Sequence, residues 1–337
     1  VQTLPERYYE AGELMKSNKR MVKDNIFKHI LLVSAVLGGL MIAFIFVFIF
    51  IKAWGVLSVS GLGFITETGF SEQIRDSYYL AAGEQTWFFG TKGLFIATLL
   101  TTAGALLLAV PLGIGTAVIV CEFSHRAIAR MLSSVIRLLA SIPSIIYGLI
   151  GLMVVVPYIK DSFISPELQI QYLYDPIMRM QLSGKSLLAG IIVLGIMIMP
   201  ILTALTVDAI KAVPKSYKEA GLGLGISHWR VVTKILLPAA KSGLFAGIIL
   251  AAGRGIGEAI ALSMVSGGIS NVPQVAHGGV FFLTPVLTLA SAIVNKSEAM
   301  SVAAIESALF SCGVVLILTS MLFSLSTRLV ERAVKMK

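Results

Sequence analysis

Charge is what this sequence has least of. Only 13% of its 337 residues are Asp, Glu, Lys or Arg, while 56% are hydrophobic. A soluble domain carries about 25% charged residues. The chain therefore has too little polar surface to cover itself in water, and lipid must solvate much of it. Cysteine is scarce too: Cys121 and Cys312 lie far apart, in or beside apolar runs. They suggest neither a disulfide framework nor a metal site. The four histidines, His29, His125, His228 and His277, are scattered and suggest no metal set. No Ser–His–acid arrangement is legible, so the chain is not expected to be an enzyme. Tandem repeats and low-complexity segments are absent as well. No small-residue cleavage site follows the first apolar run, which is read as a retained span.

Two phosphate-binding patterns fail on spacing. Gly184-Lys185-Ser186 ends like a phosphate loop, but the position five residues before Gly184 is Arg179 rather than glycine. Gly221-Leu222-Gly223-Leu224-Gly225 has no strand before it and lacks dinucleotide-fingerprint spacing.

What is present is a set of apolar runs. A helix rises 1.5 Å per residue, so about 20 uncharged residues cross the hydrocarbon core. Five runs qualify: Ile30–Ile51, Leu94–Cys121, Leu138–Ile159, Ser186–Val207 and Ser307–Thr327. Ser242–Ser266 is a sixth, despite Arg254 and Glu258. Pro111 and nearby glycines suggest a tilt, kink or break in the second. Val280–Val294 is apolar but short and holds Pro285.

Loop charge arbitrates. The net charge of +9 would suggest nucleic acid in a soluble protein; here its placement matters, and no nucleic acid partner is expected. With six spans, two-thirds of the 27 Lys and Arg residues fall in 1–29, 122–136, 208–241 and 328–337, on one side. About a quarter fall on the other, in 52–93, 160–185 and 267–306. Both termini are thus expected in the cytoplasm, and a seventh span would carry Arg328, Arg332, Lys335 and Lys337 outward. Val280–Val294 is read as re-entrant or lying on the outer surface. The expected organisation is a cytoplasmic arm (1–29), a first span (30–51), an external loop (52–93) with room for interfacial helices, a five-span core (94–327) and a cytoplasmic tail (328–337).

The loop 208–241 is long and patterned. Pro214 followed by Lys-Ser-Tyr-Lys-Glu reads as a helix start. Gly221, Gly223 and Gly225 break that helix or let a partner backbone approach closely, Ser227 is placed to cap a second one, and Pro238 closes it. Two short helices on a glycine elbow suit a groove on a partner. An amphipathic loop lying on lipid phosphates fits the same spacing.

The run Glu219-Ala220-Gly221-x₃-Gly225-x₉-Ile235-x-Leu237-Pro238 resembles the coupling motif of binding-protein-dependent ABC importer permeases, with Gly221 replacing an alanine. The resemblance covers roughly 90–330. Pro111–Ala117, Ser141–Gly148 with Gly151-Leu152, and Gly253–Met264 are similar to the permeases of phosphate importers. The extra first span, Val272-Pro273-Gln274 and Thr288–Ile293 lean toward the PstC-like member rather than its PstA-like sister. The chain departs from that pattern where Trp87 stands without the usual Trp-x-Pro and where Gly253 and Gly255 flank the arginine. The resemblance implies an all-α polytopic bundle of six spans with the type I ABC importer permease fold. It implies a second, PstA-like permease, a PstB-like ATPase dimer and an external phosphate-binding protein as partners. ATP and Mg would sit on the ATPase, and this chain would bind no cofactor. Glu219, Ala220, Gly221, Gly225, Ile235, Leu237 and Pro238 would dock the ATPase.

Arg254 and Glu258 are four residues apart, which predicts one helix face and a mutual pair. Ionised groups in a span usually face the bundle interior or a water path. Gly243, Gly247, Ala251, Gly255 and Ala259 form a small-residue ladder on the same run, with Gly253 and Gly257 as a second stripe. The fifth span is therefore expected at the central interface. Arg254 would contact phosphate through its planar donor fork, steadied by Glu258; a structural ion pair is the alternative. Arg137 is read either as snorkelling or as an inner-mouth anion contact, with Ser141 and Ser144 satisfying a carbonyl freed by Pro143 or lining the path. Another oxyanion, a proton-coupled carrier using Glu258, and a channel or membrane scaffold are the competing readings.

Overall fold

The computed structural model describes residues 4–80, 84–175 and 180–335, with side chains over 25–80, 84–175 and 180–326. Arg179, most of the N-terminal arm's side chains and those of the tail, including Arg328, Arg332, Lys335 and Lys337, lie outside the described residues. The chain divides into two compact units, Val1–Ile51 and Lys52–Lys337. Helix α1 spans Leu4–Ser60, so the residues read as an arm are helical from Leu4 onward. Within the first unit the apolar side chains from Ile30 to Ile51 are exposed nearly throughout. Lipid, not protein, is the natural solvent for such a surface.

The second unit is built on two long helices, α4 (Lys92–Val118) and α9 (Leu187–Lys211), with a short helix, α8 (Pro166–Leu173), before the second of them. Glycines let their backbones approach. A Cβ on Gly104 would lie 2.6 Å from Ile191 Cδ1, and one on Gly195 would lie 3.1 Å from Leu108 Cδ2. Gly113 meets Leu202 and Thr203 in the same way. Helix α4 runs unbroken through Pro111, which leaves a tilt or kink rather than a break there, and a π-helical turn at Ile119–Phe123 extends it.

Among the described residues five helices are long and apolar enough to cross a membrane: Asn25–Ser60, Lys92–Phe123, Ser144–Phe163, Leu187–Lys211 and Ala303–Ser326. The apolar segment Lys241–Ile256 meets His228–Ala239 at a bend of 69°, and the crossings number up to six when this bent pair is one span. The expected span 242–266 is itself two helices, α13 (Lys241–Ile256) and α14 (Ile260–Val265). The third span also differs from expectation. Residues 138–140 end an amphipathic helix, α5 (Arg126–Ala140), and the crossing begins at Ser144. It continues as α6 (Ser144–Ile150), a π-helical stretch and α7 (Val156–Phe163). Pro143 forces the separation, because its ring nitrogen has no proton to give the preceding turn.

Residues 280–294 are two short helices, α15 (Val280–Leu283) and α16 (Leu289–Asn295). Residues 283–292 are all buried in protein. The irregular backbone between the helices is satisfied by protein: Val286 N donates to Ser266 O, Gly268 N to Val286 O, Leu187 N to Thr284 O and Leu289 N to Thr98 Oγ1. Non-helical backbone at membrane depth persists only with such partners.

The loop beyond the first span forms α2 (Gly63–Thr66) and α3 (Phe70–Tyr79). Phe64, Phe70, Ile74 and Phe89 join Leu289, Ala308 and Leu309 in one apolar cluster, which binds these helices to α16 and to α17 (Ala303–Lys335). Lys52 pairs with Glu306 at 2.9 Å, and Trp87 lies against Gly55.

The rejected Gly184-Lys185-Ser186 pattern has a structural role. Gly184 has φ +83°, and a Cβ there would run into Val156 O. Ser186 caps α9, its Oγ accepting from Ala189 N at 3.3 Å. Gly184→Ala is expected to lower stability by about 1–3 kcal/mol through left-handed strain, and Ser186→Ala by about 1 kcal/mol. Thermal unfolding of the purified protein in detergent reads both; an unchanged midpoint for Gly184→Ala would contradict the strained turn.

Candidate functional site

The patterned loop folds as two arms. The first is α10 (Lys215–Gly223), entered from Pro214. The second is α11 (His228–Val231), a π-helical stretch and α12 (Leu237–Ala239). The elbow turns at Gly225, whose φ of +75° favours glycine. Ser227 occupies the cap position but makes no side-chain cap bond, unlike its expected role.

The motif residues divide by side. Gly221 is buried where the arms cross; a Cβ there would stand 2.8 Å from Ile235 Cδ1 and 3.0 Å from Val231 Cγ2. Ile235 and Leu237 pack into the apolar cluster of Ala117, Val207, Ile210 and Val231. Glu219, Ala220, Gly225 and Pro238 are exposed. So are Tyr217, Leu222, Leu224 and Trp229, with Leu224 at 78%. One side of the pair is thus locked to the ends of α4 and α9, and the other is an exposed apolar tip.

The second candidate centre is the break in the fifth span. Helix α13 stops at Ile256, so Glu258 does not follow Arg254 on one face. Among the described residues no ion pair joins them, which corrects the expected mutual pair. Arg254 lies in the last turn of α13, where unpaired carbonyls favour a cation. Glu258, only 8% exposed, accepts from Ala261 N at 3.0 Å at the start of α14. Each charge is complemented by a helix end. Ser291 Oγ donates to Ala259 O in the break, at 3.1 Å.

The ladder is occupied within the chain. Gly243 abuts Ala209, Gly247 abuts Leu205, and Gly255 abuts Thr102 and Leu194. The ladder therefore docks α13 on α9 and α4 rather than on a second subunit. The other stripe is open: Gly253, Arg254 and Gly257 are exposed, and nothing lies within 4 Å of a Cβ on Gly253.

Residues 137–147 are also rearranged. Arg137 Nη2 donates to Asp208 Oδ1 at 2.8 Å, which gives the guanidinium a carboxylate partner on α9 while both side chains stay more than half exposed. Ser141 Oγ donates to Leu138 O at 2.7 Å, and Tyr147 Oη to Leu139 O at 2.8 Å. Leu139 O is the carbonyl that Pro143 displaces, so Tyr147 answers it from the next turn. Sequence reasoning assigned this to serines and missed the tyrosine, which stood in the quoted run. Ser144 is half-buried at the start of α6. Arg254 lies within electrostatic range of Tyr147, so the fold brings the Pro143 turn toward the broken span.

A discontinuous membrane bundle presenting a glycine-elbowed helix pair is the architecture of an importer permease. The family described as "Binding-protein-dependent transport system inner membrane component" matches residues 109–336, and the chain belongs to it. It is a multi-pass inner-membrane permease of a transport class that works with an ATPase and a substrate-binding protein. The chain is 33% identical over 278 residues to the "Probable ABC transporter permease protein YqgH" of Bacillus subtilis (strain 168), covering 82% of this chain and 80% of that one. It is 32% identical over 308 residues to the "Phosphate transport system permease protein PstC" of Pasteurella multocida (strain Pm70), covering 89% of each. A chain of the MetNI methionine ABC transporter, solved in inward facing conformations, shares the fold with a TM-score of 0.51 at 18% identity. That similarity covers 71% of this chain and 93% of the other.

If Glu258 serves as the cap of α14, Glu258→Ala is expected to cost about 1 kcal/mol of stability, and Glu258→Gln, which keeps an acceptor, distinctly less. Equal melting temperatures for the two variants in detergent would rule out the capping role.

Proposed function

We propose that this chain is the PstC-like permease of an ATP-driven importer for inorganic phosphate, inserted in a bacterial or archaeal cytoplasmic membrane with both termini inside. The observation that carries the transport mechanism is the helix pair at Glu219–Pro238, clamped on one side and apolar and exposed on the other. Its exposed tip would enter a cleft on a PstB-like ATPase dimer, where ATP and Mg are held. The distribution of Lys and Arg supports placing this pair in the cytoplasm. Phosphate is favoured by the names of the relatives and by Arg254.

The open stripe Gly253–Arg254–Gly257 would face a PstA-like second permease, leaving the anion path between the two. A guanidinium at a half-helix end offers two parallel donors and a compensating charge to a phosphate oxyanion. The break places irregular backbone beside Arg254, as the discontinuous helices that form ion sites in other transporters do. Glu258, engaged with α14, leaves the Arg254 charge for the anion and orients the break. Ser141 and Ser144 sit at the Pro143 turn, toward the path, while Arg137 braces α5 against α9. Phosphate would be delivered by an external phosphate-binding protein.

Two measurements test this reading. In the assembled importer, Arg254→Ala is expected to leave ATP hydrolysis measurable and to cut uptake of radiolabelled phosphate by at least about tenfold; normal uptake would remove Arg254 from the path. Excess sulfate or molybdate should not compete, and competition by either would reassign the substrate. Glu219→Arg and Gly225→Asp are expected to release the ATPase on co-purification. Retention of the ATPase by both, or phosphate import with no ATPase present, would overturn the coupling assignment.

A further inference from the structure

One buried acid plays no part in the anion path. Glu122 lies in the π-helical turn that ends the second span, and its side chain is only 9% exposed. Its Oε2 accepts from Lys218 Nζ at 2.6 Å and lies 3.1 Å from His228 Nε2. Lys218 is on the first arm of the helix pair, and His228 opens the second. One carboxylate oxygen therefore ties both arms to one helix end. The neighbouring Phe123 adds ring contacts to His228 at 5.0 Å and Trp229 at 6.2 Å between centroids.

We propose that Glu122 is a positioning residue that transmits movement of the helix pair into the second span. This rests on the reading that the pair docks an ATPase. A carboxylate this buried stays with its partners, because losing them would strand a charge in low dielectric. Displacing either arm therefore pulls on the end of α4. That helix is continuous to Lys92. About twenty residues up, roughly 30 Å at helical rise, it carries Thr102, whose Cγ2 lies 3.4 Å from the Cβ position of Gly255. Gly255 adjoins Arg254. A rigid rod thus connects the elbow to the broken span, with Glu122 as its lower joint. Coupling between distant sites needs such a contiguous element. By contrast, the Arg137–Asp208 pair leaves both side chains more than half exposed, and a solvated pair makes a weak joint.

The test uses the full importer, with sister permease, ATPase and binding protein, in proteoliposomes. The quantity read is radiolabelled inorganic phosphate imported per ATP hydrolysed. Glu122→Gln is expected to lower that ratio about tenfold while the ATPase still co-purifies. Lys218→Gln and His228→Gln, at half-exposed positions, should each lower it less and together approach the Glu122→Gln value. The exchanged pair Glu122→Lys with Lys218→Glu should restore part of the ratio. A wild-type ratio in Glu122→Gln, or failure of all three single variants to separate import from hydrolysis, overturns the proposal. Failure of the docking reading is separately visible: Glu219→Arg would then retain the ATPase in the same preparations.

Discussion

Helices α4 and α9 lie close enough that Gly104, Gly195 and Gly113 each leave room for a neighbouring side chain. In lipid there is no hydrophobic gain in joining two apolar helices, so association depends on close packing and hydrogen bonds. Glycines supply the closeness, and the facing Ile191, Leu108 and Leu202 fill it. Helix α13 then docks on the same surface through Gly243, Gly247 and Gly255. The buried segment 283–292 ties into the slab where Leu187 N reaches Thr284 O and Thr98 Oγ1 receives Leu289 N. Both candidate sites hang from this slab, the helix pair at one end and the broken span along its side.

The broken span resolves a difficulty that an intact one would create. A charge at the centre of a bilayer costs about 2.5–3.5 kcal/mol on insertion scales. Two opposite charges on one helix face could offset each other, yet the fold separates them. Stopping α13 at Ile256 and restarting at Ile260 exposes a negative helix end to Arg254 and a positive one to Glu258. Each charge is stabilised without neutralising the other, which leaves a guanidinium free to meet an anion. Ser291 completes the arrangement by donating to the carbonyl of Ala259.

The helix pair was the most legible part of the site. Its length, its glycines and its prolines are local features, and the elbow stands at Gly225 as the spacing requires. The division of the motif into a clamped side and an exposed side was not legible. It depends on which neighbours reach Ile235 and Leu237, and those belong to α4 and α9. The third span was read less than about two turns of sequence too generously toward Arg137, because hydropathy does not distinguish the end of an amphipathic helix from the start of a crossing. Pro143 was the available signal, and Tyr147 its structural answer.

The sequence by itself determined the membrane class, the main apolar spans and the presence of a glycine elbow between the two arms. Each follows from the order of residues along one short stretch: apolar length, charge placement, and glycine or proline at a turn. Tertiary structure alone decided the partners of the charges. Arg137 went to Asp208, Glu122 to Lys218 and His228, and Arg254 and Glu258 to opposite helix ends. A charge in low dielectric takes whatever complement the packing brings within about 3 Å, and the packing joins residues tens of positions apart whose spacing along the chain carries no trace of the contact.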